Sequence, residues 1–179
     1  MSYFVFGSFD SPNNESLFDK IKKYGQNKGV YFWFNSEITF YPEIFKMCKE
    51  QASQKQVTFA LTSSKQPSNS SDLLFPYDKF TNQELFSNGS RLFFNRCCES
   101  NIRPLFDCLK KLLALFKLKN LEIFTVEGYD TGFIKKKCTL EEMELDLLTQ
   151  IKTTSIIESC IYSIENNFKK IVWKKSCIQ

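Results

Sequence analysis

In the segment Glu127-Gly128-Tyr129-Asp130-Thr131-Gly132 two glycines bracket a phenol and a carboxylate directly after a second carboxylate, and Lys135-Lys136-Lys137 follows closely. Carboxylate, phenol and ammonium groups can exchange protons or fix a polar ligand when a fold brings them together. The apolar run ending at Val126 reads as a strand, and α/β proteins often hold ligands beyond the carboxyl end of a strand. The same glycines and aspartate also suit an ordinary turn, where they serve backbone geometry alone. A second acidic group, Glu141, Glu142, Glu144 and Asp146, lies just downstream. Carboxylates at helical spacing can bind a metal or act as acid and base. Here they occupy the first turns of an expected helix, where the macrodipole favours negative charge. Glu141 and Glu144 share the side opposite Leu140 and Leu147, so they form an exposed acidic patch suited to a basic partner.

Three other groups have both a chemical and a structural reading. Cys97-Cys98 is a redox or soft-metal pair if Arg96 and Arg103 lower the thiol pKa, and otherwise a packed strand end. The run Tyr31-Phe32-Trp33-Phe34 resembles a base-stacking platform, but it holds no basic residue and is expected in the core. Lys169, Lys170, Lys174 and Lys175 surround Ile171-Val172-Trp173, either as an electrostatic contact or as protection for an edge strand.

The chain of 179 residues contains no histidine. Ser-His-Asp, Cys-His and His-ligated zinc mechanisms are thereby excluded, and any pH dependence between about 5.5 and 7.5 should be shallow. No phosphate loop, nucleophile motif or C-x-x-C is present, so neither a cofactor nor a metal is expected. The formal net charge is +4, and only three of the 24 basic residues are arginine: Arg91, Arg96 and Arg103. Arginine supplies the planar fork for phosphate and base recognition, so nucleic acid is not the expected partner. The seven cysteines are odd in number and irregularly spaced, as in a reducing compartment. The first residues lack a basic n-region, and no stretch approaches the roughly 20 apolar residues of a membrane span. A cytoplasmic protein with no membrane association is the expectation.

These groups need elements to position them. Tyr3–Ser8 reads as a buried strand, followed by a helix through Leu17, Phe18, Ile21 and Tyr24 that closes at Gly25 and Gly29. Val30–Phe34 is a second strand. Pro42 opens a helix with Ile44, Phe45, Cys48 and Ala52 on its buried face, and Val57, Phe59 and Leu61 mark a third strand. The polar stretch Ser63–Asp72 is the expected mobile loop. A short helix is expected at Asn82–Phe86, and Arg91–Asn95 as a strand. The clearest helix starts near Ser100, with Pro104 in its first turn and Leu105, Phe106, Leu109, Leu112, Leu113 and Phe116 inward. Leu121–Val126 is a strand, and Thr139-x-x-Glu142 is a capping box for a helix carrying Leu140, Met143, Leu147, Leu148 and Ile151 inward. Ile156–Ile164 and Lys170–Trp173 read as two closing strands, the first also readable as a helix. The economical architecture over 1–179 is α/β or α+β, one domain with a mixed β-sheet covered by about four amphipathic helices.

The segments Leu121–Asp130, Thr139–Ile151 and Ser155–Tyr162 together resemble the strand–turn–helix–strand ending of small bacterial immunity proteins. Those accompany contact-dependent or polymorphic toxins. The resemblance covers residues 120–164 and implies a cytoplasmic, non-catalytic protein that binds and neutralises one cognate toxin domain. Glu127, Tyr129, Asp130, Glu141 and Glu144 are then the expected partner contacts. The alternatives are a small enzyme using carboxylate, tyrosine and lysine chemistry near 127–137, with Asp10 as a further carboxylate, and a nucleic-acid-binding accessory protein.

Overall fold

The computed structural model describes residues 3–10, 16–52, 56–62, 65, 90–128, 132–153 and 157–165. It is an α+β domain in which a six-stranded mixed sheet is covered by helices. The strands are β1 (Tyr3–Asp10), β2 (Tyr31–Phe34), β3 (Gln56–Thr62), β4 (Glu122–Glu127), β5 (Ile134–Cys138) and β6 (Cys160–Ile164). Their order is β2-β3-β1-β4-β6-β5. Every pairing is antiparallel except β5 with β6. The helices are α1 (Ser16–Gln26), α2 (Pro42–Gln51), α3 (Ser90–Phe116) and α4 (Leu140–Thr153).

Alternation along the strands divides the apolar side chains between two cores. Val5 and Phe9 of β1, Phe32 and Phe34 of β2, Val57, Phe59 and Leu61 of β3, and Ile123 of β4 face one way. They pack with Ile21 of α1, Leu105, Phe106 and Leu109 of α3, and Met143 and Leu147 of α4. Phe4, Phe6, Ala60, Phe124, Val126 and Ile161 face the other way, against Ile44 and Cys48 of α2. Tyr41 leads into α2 with a left-handed backbone (φ 49°), and its ring lies 4.2 Å from that of Phe4.

Helix α3 differs from expectation. The segment Arg91–Asn95, expected as a strand, is its first part, and Pro104 lies in its interior rather than in its first turn. A short apolar run such as Leu92-Phe93-Phe94 fits either period, and the helix continues through Pro104 into the stripe that begins at Leu105. Pro104 removes one helical hydrogen bond, costing about 3 kcal/mol. The neighbours Ile102, Leu105, Phe106 and Leu109, at most 1% exposed, contribute about 1.5–3 kcal/mol each and outweigh it. The side chains of Cys97 and Cys98 lie outside the described residues. So do the expected loop (Lys65 aside), the helix at 82–86 and the strand at 170–173.

Two other boundaries shift. The chain runs through Gly25 and ends α1 at Gln26, with the left-handed turn supplied by Gly29 (φ 72°). The strand expected at 156–164 is regular only over Cys160–Ile164.

At α4 the capping box forms as expected. The Thr139 N–H donates to Glu142 Oε2 at 2.7 Å, and the Glu142 N–H donates to Thr139 Oγ1 at 3.2 Å. Thr139→Ala should lower the unfolding free energy by about 1 kcal/mol in urea titration. An unchanged midpoint would show that the cap contributes nothing to stability.

Candidate functional site

The sheet register places the sequence-expected residues at opposite ends of the molecule. Glu127 closes β4 opposite Tyr3, half-buried, and its N–H donates to Ser159 Oγ at 3.0 Å. Because Thr125 pairs with Cys160 and Cys160 with Ile134, the starts of β5 and β6 share this end of the sheet. Cys138 ends β5 at the far side, so α4 begins there, with Glu141 and Glu144 in its first turns. Asp10 lies at that far side too, where its carboxylate accepts from Asn120 Nδ2 at 2.8 Å. Tyr3 and Asp10 are seven positions apart on one strand, about 23 Å. Glu127 and Asp10 therefore do not share a pocket. Tyr129 and Asp130 lie outside the described residues.

Glu141 and Glu144 converge on one cation. Lys110 of α3 contacts Glu144 Oε2 at 2.9 Å and Glu141 Oε1 at 3.9 Å. The hydrogen bond from Lys110 to Glu144 holds the lysine above its ordinary pKa. Glu144 thus fastens α4 to α3, while the Glu141 side chain remains 70% exposed. Between the acidic residues, Leu145 projects outward with 66% of its surface exposed. Half-buried Leu148 follows at i+3, on the same side of the helix. The outer face of α4 is therefore a small apolar patch beside Glu141 and exposed Glu142.

A second polar cluster lies beneath α4. The Asp146 Oδ2 atom accepts from Lys136 Nζ at 2.7 Å, Tyr162 Oη at 2.7 Å and Gln150 Nε2 at 3.0 Å. The Gln150 Oε1 atom in turn accepts from the Glu158 N–H at 2.9 Å. Lys136 Nζ sits 5.6 Å from the centre of the Tyr162 ring. This cluster contains the carboxylate, tyrosine and lysine types considered for an enzyme, yet only Lys136 comes from residues 127–137.

Its electrostatics suit fixed architecture. Burial alone would raise the Asp146 pKa, but Lys136, the Tyr162 hydroxyl and Gln150 hold it below the ordinary value. Burial and the Asp146 contact push Tyr162 upward. Burial opposes the charge on Lys136, yet Asp146 and neighbouring anions raise its pKa. General acids and bases work best with a pKa near ambient pH, and all three shifts lead away from it. The described thiols behave similarly. Burial pushes Cys48 and Cys108 up to about 12, and it raises Cys138 and Cys160 too.

Sequence patterning did not bring out this cluster because β5 hides in a lysine run. Alternation puts Ile134, Lys136 and Cys138 on one face and Lys135 and Lys137 on the other, but Ile-Lys-Lys-Lys-Cys reads as solvated charge. Two signals were present. Asp146 and Gln150 have i,i+4 spacing, and Tyr162 sits in an apolar strand, where a phenol needs a partner. The outward position of Leu145 was legible as a leucine off the stripe Leu140-Met143-Leu147-Ile151.

Among the described residues no group of three or more acidic or cysteine side chains could hold a metal, and no helix is long and apolar enough to cross a membrane. No family model, curated protein or solved structure matches the chain.

Proposed function

We propose that this chain is a non-catalytic protein-binding module, an immunity-type inhibitor that binds and neutralises a toxin domain in the cytoplasm. The observation that carries this reading is the outer face of α4, where exposed Leu145 lies beside Glu141 and Glu142. Interfaces concentrate their energy in a few central apolar anchors, while rim charges govern encounter and orientation. Leu145 is the anchor, and Glu141 belongs to the rim. The partner surface is an apolar depression edged with basic side chains. The mild positive charge of the whole chain does not oppose this, because the acidic group is local.

The lysine–aspartate–tyrosine cluster supports binding over catalysis, since each member is engaged and shifted away from neutral pKa. Co-expression with a toxin domain encoded beside the chain tests the function. Protection of growth and a stable complex are the expected outcome, and unprotected growth would remove the inhibitor reading. Within the complex, Glu141→Lys should slow association about 3- to 10-fold at low salt and leave dissociation nearly unchanged, as read by surface plasmon resonance. An unaltered association rate would place Glu141 outside the interface.

A further inference from the structure

Successive lysines of α3 point to opposite flanks of the helical layer. Lys110 reaches Glu144 of α4 at 2.9 Å, whereas Lys111 Nζ sits 5.9 Å from the centre of the Tyr24 ring of α1. Helix α3 therefore lies between α4 and α1. Lys28, four positions after Tyr24, is close enough for its charge to act on Cys108, three positions before Lys111. The helices α1 and α3 thus run antiparallel. One turn the other way from the Tyr24–Lys111 contact lie Lys20 on α1 and Leu115 on α3.

The α1–α3 seam is accordingly an apolar patch in a basic setting. Leu115 is 61% exposed, beside half-buried Tyr24 and the exposed Lys20, Lys28 and Lys111. None of these lysines forms an ion pair with a described residue. The other flank of α3 has the opposite charge, since exposed Leu145 stands there beside Glu141 and Glu142. Leu115 and Leu145 are the two most exposed large apolar side chains among the described residues.

We propose that the chain forms a two-fold dimer through this helical face, the outer surface of α4 in each copy lying on the α1–α3 seam of the other. A two-fold axis lying on the face along α3 exchanges its flanks, so the Leu145 patch covers the Leu115 patch and the acidic residues meet the lysines, twice over. An axis across α3 would instead set α4 against α4, opposing Glu141 and Glu142 to themselves and the lysines to lysines. Opposed like charges suppress that pairing. The matching surface belongs to the chain itself and lies one helix spacing from α3, as the seam does, which singles out a second copy as the occupant. Helices about 10 Å wide with axes about 9 Å apart make a three-helix face of about 30 by 20 Å. Two copies then bury roughly 1,200 Å², the lower bound for a stable pair.

The dimer covers the face proposed for the toxin, yet it is measured with this chain alone, so the two readings stand or fall separately. In sedimentation equilibrium at about 0.2 mM, where an interface of this size should be populated, wild type should be a dimer with no larger species. Leu115→Asp, which leaves α4 untouched, should be monomeric. Glu141→Lys and Lys111→Glu should each weaken dimerisation about tenfold. An equimolar mixture of those two variants should recover a one-to-one pair, because both contacts then regain opposite charges. Monomeric wild type, a dimer that survives Leu115→Asp, or no recovery in the mixture would overturn the proposal. Open-ended assemblies, the product of a head-to-tail contact, would overturn the two-fold arrangement equally.

Discussion

Gly7→Ala should lower the unfolding free energy by about 3 kcal/mol, a large loss for removing one glycine from a central strand. Gly7 pairs with Phe59 on β3 and with Ile123 on β4. A methyl group there would lie 2.2 Å from Phe59 Cζ and 2.7 and 2.8 Å from Cε1 and Cε2. The ring has no free direction in which to withdraw. Phe59 is 1% exposed, and its centroid lies 5.8 Å from that of Phe9, 5.6 Å from Phe32 and 6.3 Å from Phe34. The glycine is needed for space, since the aromatic ring lies over the backbone of β1. Phe59→Leu in the Gly7→Ala background should therefore recover part of the loss. Urea titration of both single variants and the double variant measures this, with an expected coupling above about 1 kcal/mol. Additive losses would contradict the contact.

Asp146→Ala should cost about 2–3 kcal/mol, and Tyr162→Phe about 1 kcal/mol. Removing the carboxylate leaves the O–H of fully buried Tyr162 without its acceptor, although Gln150 Nε2 still donates to that oxygen at 3.3 Å, and it releases Lys136. Removing the hydroxyl leaves the other bonds to Asp146 in place. The partly exposed Lys136 ion pair adds little of its own. The double variant should lose less than the sum of the single variants, because no O–H donor is left without its acceptor. Calorimetry or urea titration distinguishes this from two independent sites.

The same groups set the pH profile of stability. The folded-state pKa of Asp146 lies below its unfolded value. Its contribution is thus present above about pH 4 and lost as pH falls further through the folded pKa. Cys48 and Cys108 are raised to about 12 by burial. Their contribution is full below the unfolded thiol value of about 8.5 and declines as pH rises toward the folded one. Lys136, also raised, holds its contribution until pH passes about 10.4 and then loses it. With no histidine in the chain, stability should form a plateau between about pH 5 and 8. A step inside that window would contradict the assignment.

Strong periodicity made several elements legible in the sequence. Val57, Phe59 and Leu61 alternate as a strand facing the α1–α3 side. Leu105, Phe106, Leu109, Leu112 and Leu113 form the buried stripe of α3. Other features depended on distant contacts. Charge concealed the pleat of β5, and a short apolar run concealed the first turns of α3. The acidic residues of α4 were visible as a group, but sequence could not divide them by role. Lys110, 34 positions from Glu144, hydrogen-bonds that carboxylate to α3 and reaches the largely exposed Glu141 only at 3.9 Å. Asp146 turns inward because Lys136 and Tyr162 meet it from two strands.

Binding through the outer face of α4 is tested most directly by Leu145→Asp. The measurement is isothermal titration of wild type and variant with the toxin domain proposed as partner, with circular dichroism confirming an unchanged fold. Wild type should form a one-to-one complex, and the variant should bind about 100-fold more weakly, as expected for a central apolar anchor. Equal affinity of wild type and Leu145→Asp, or no complex with wild type, would contradict the account.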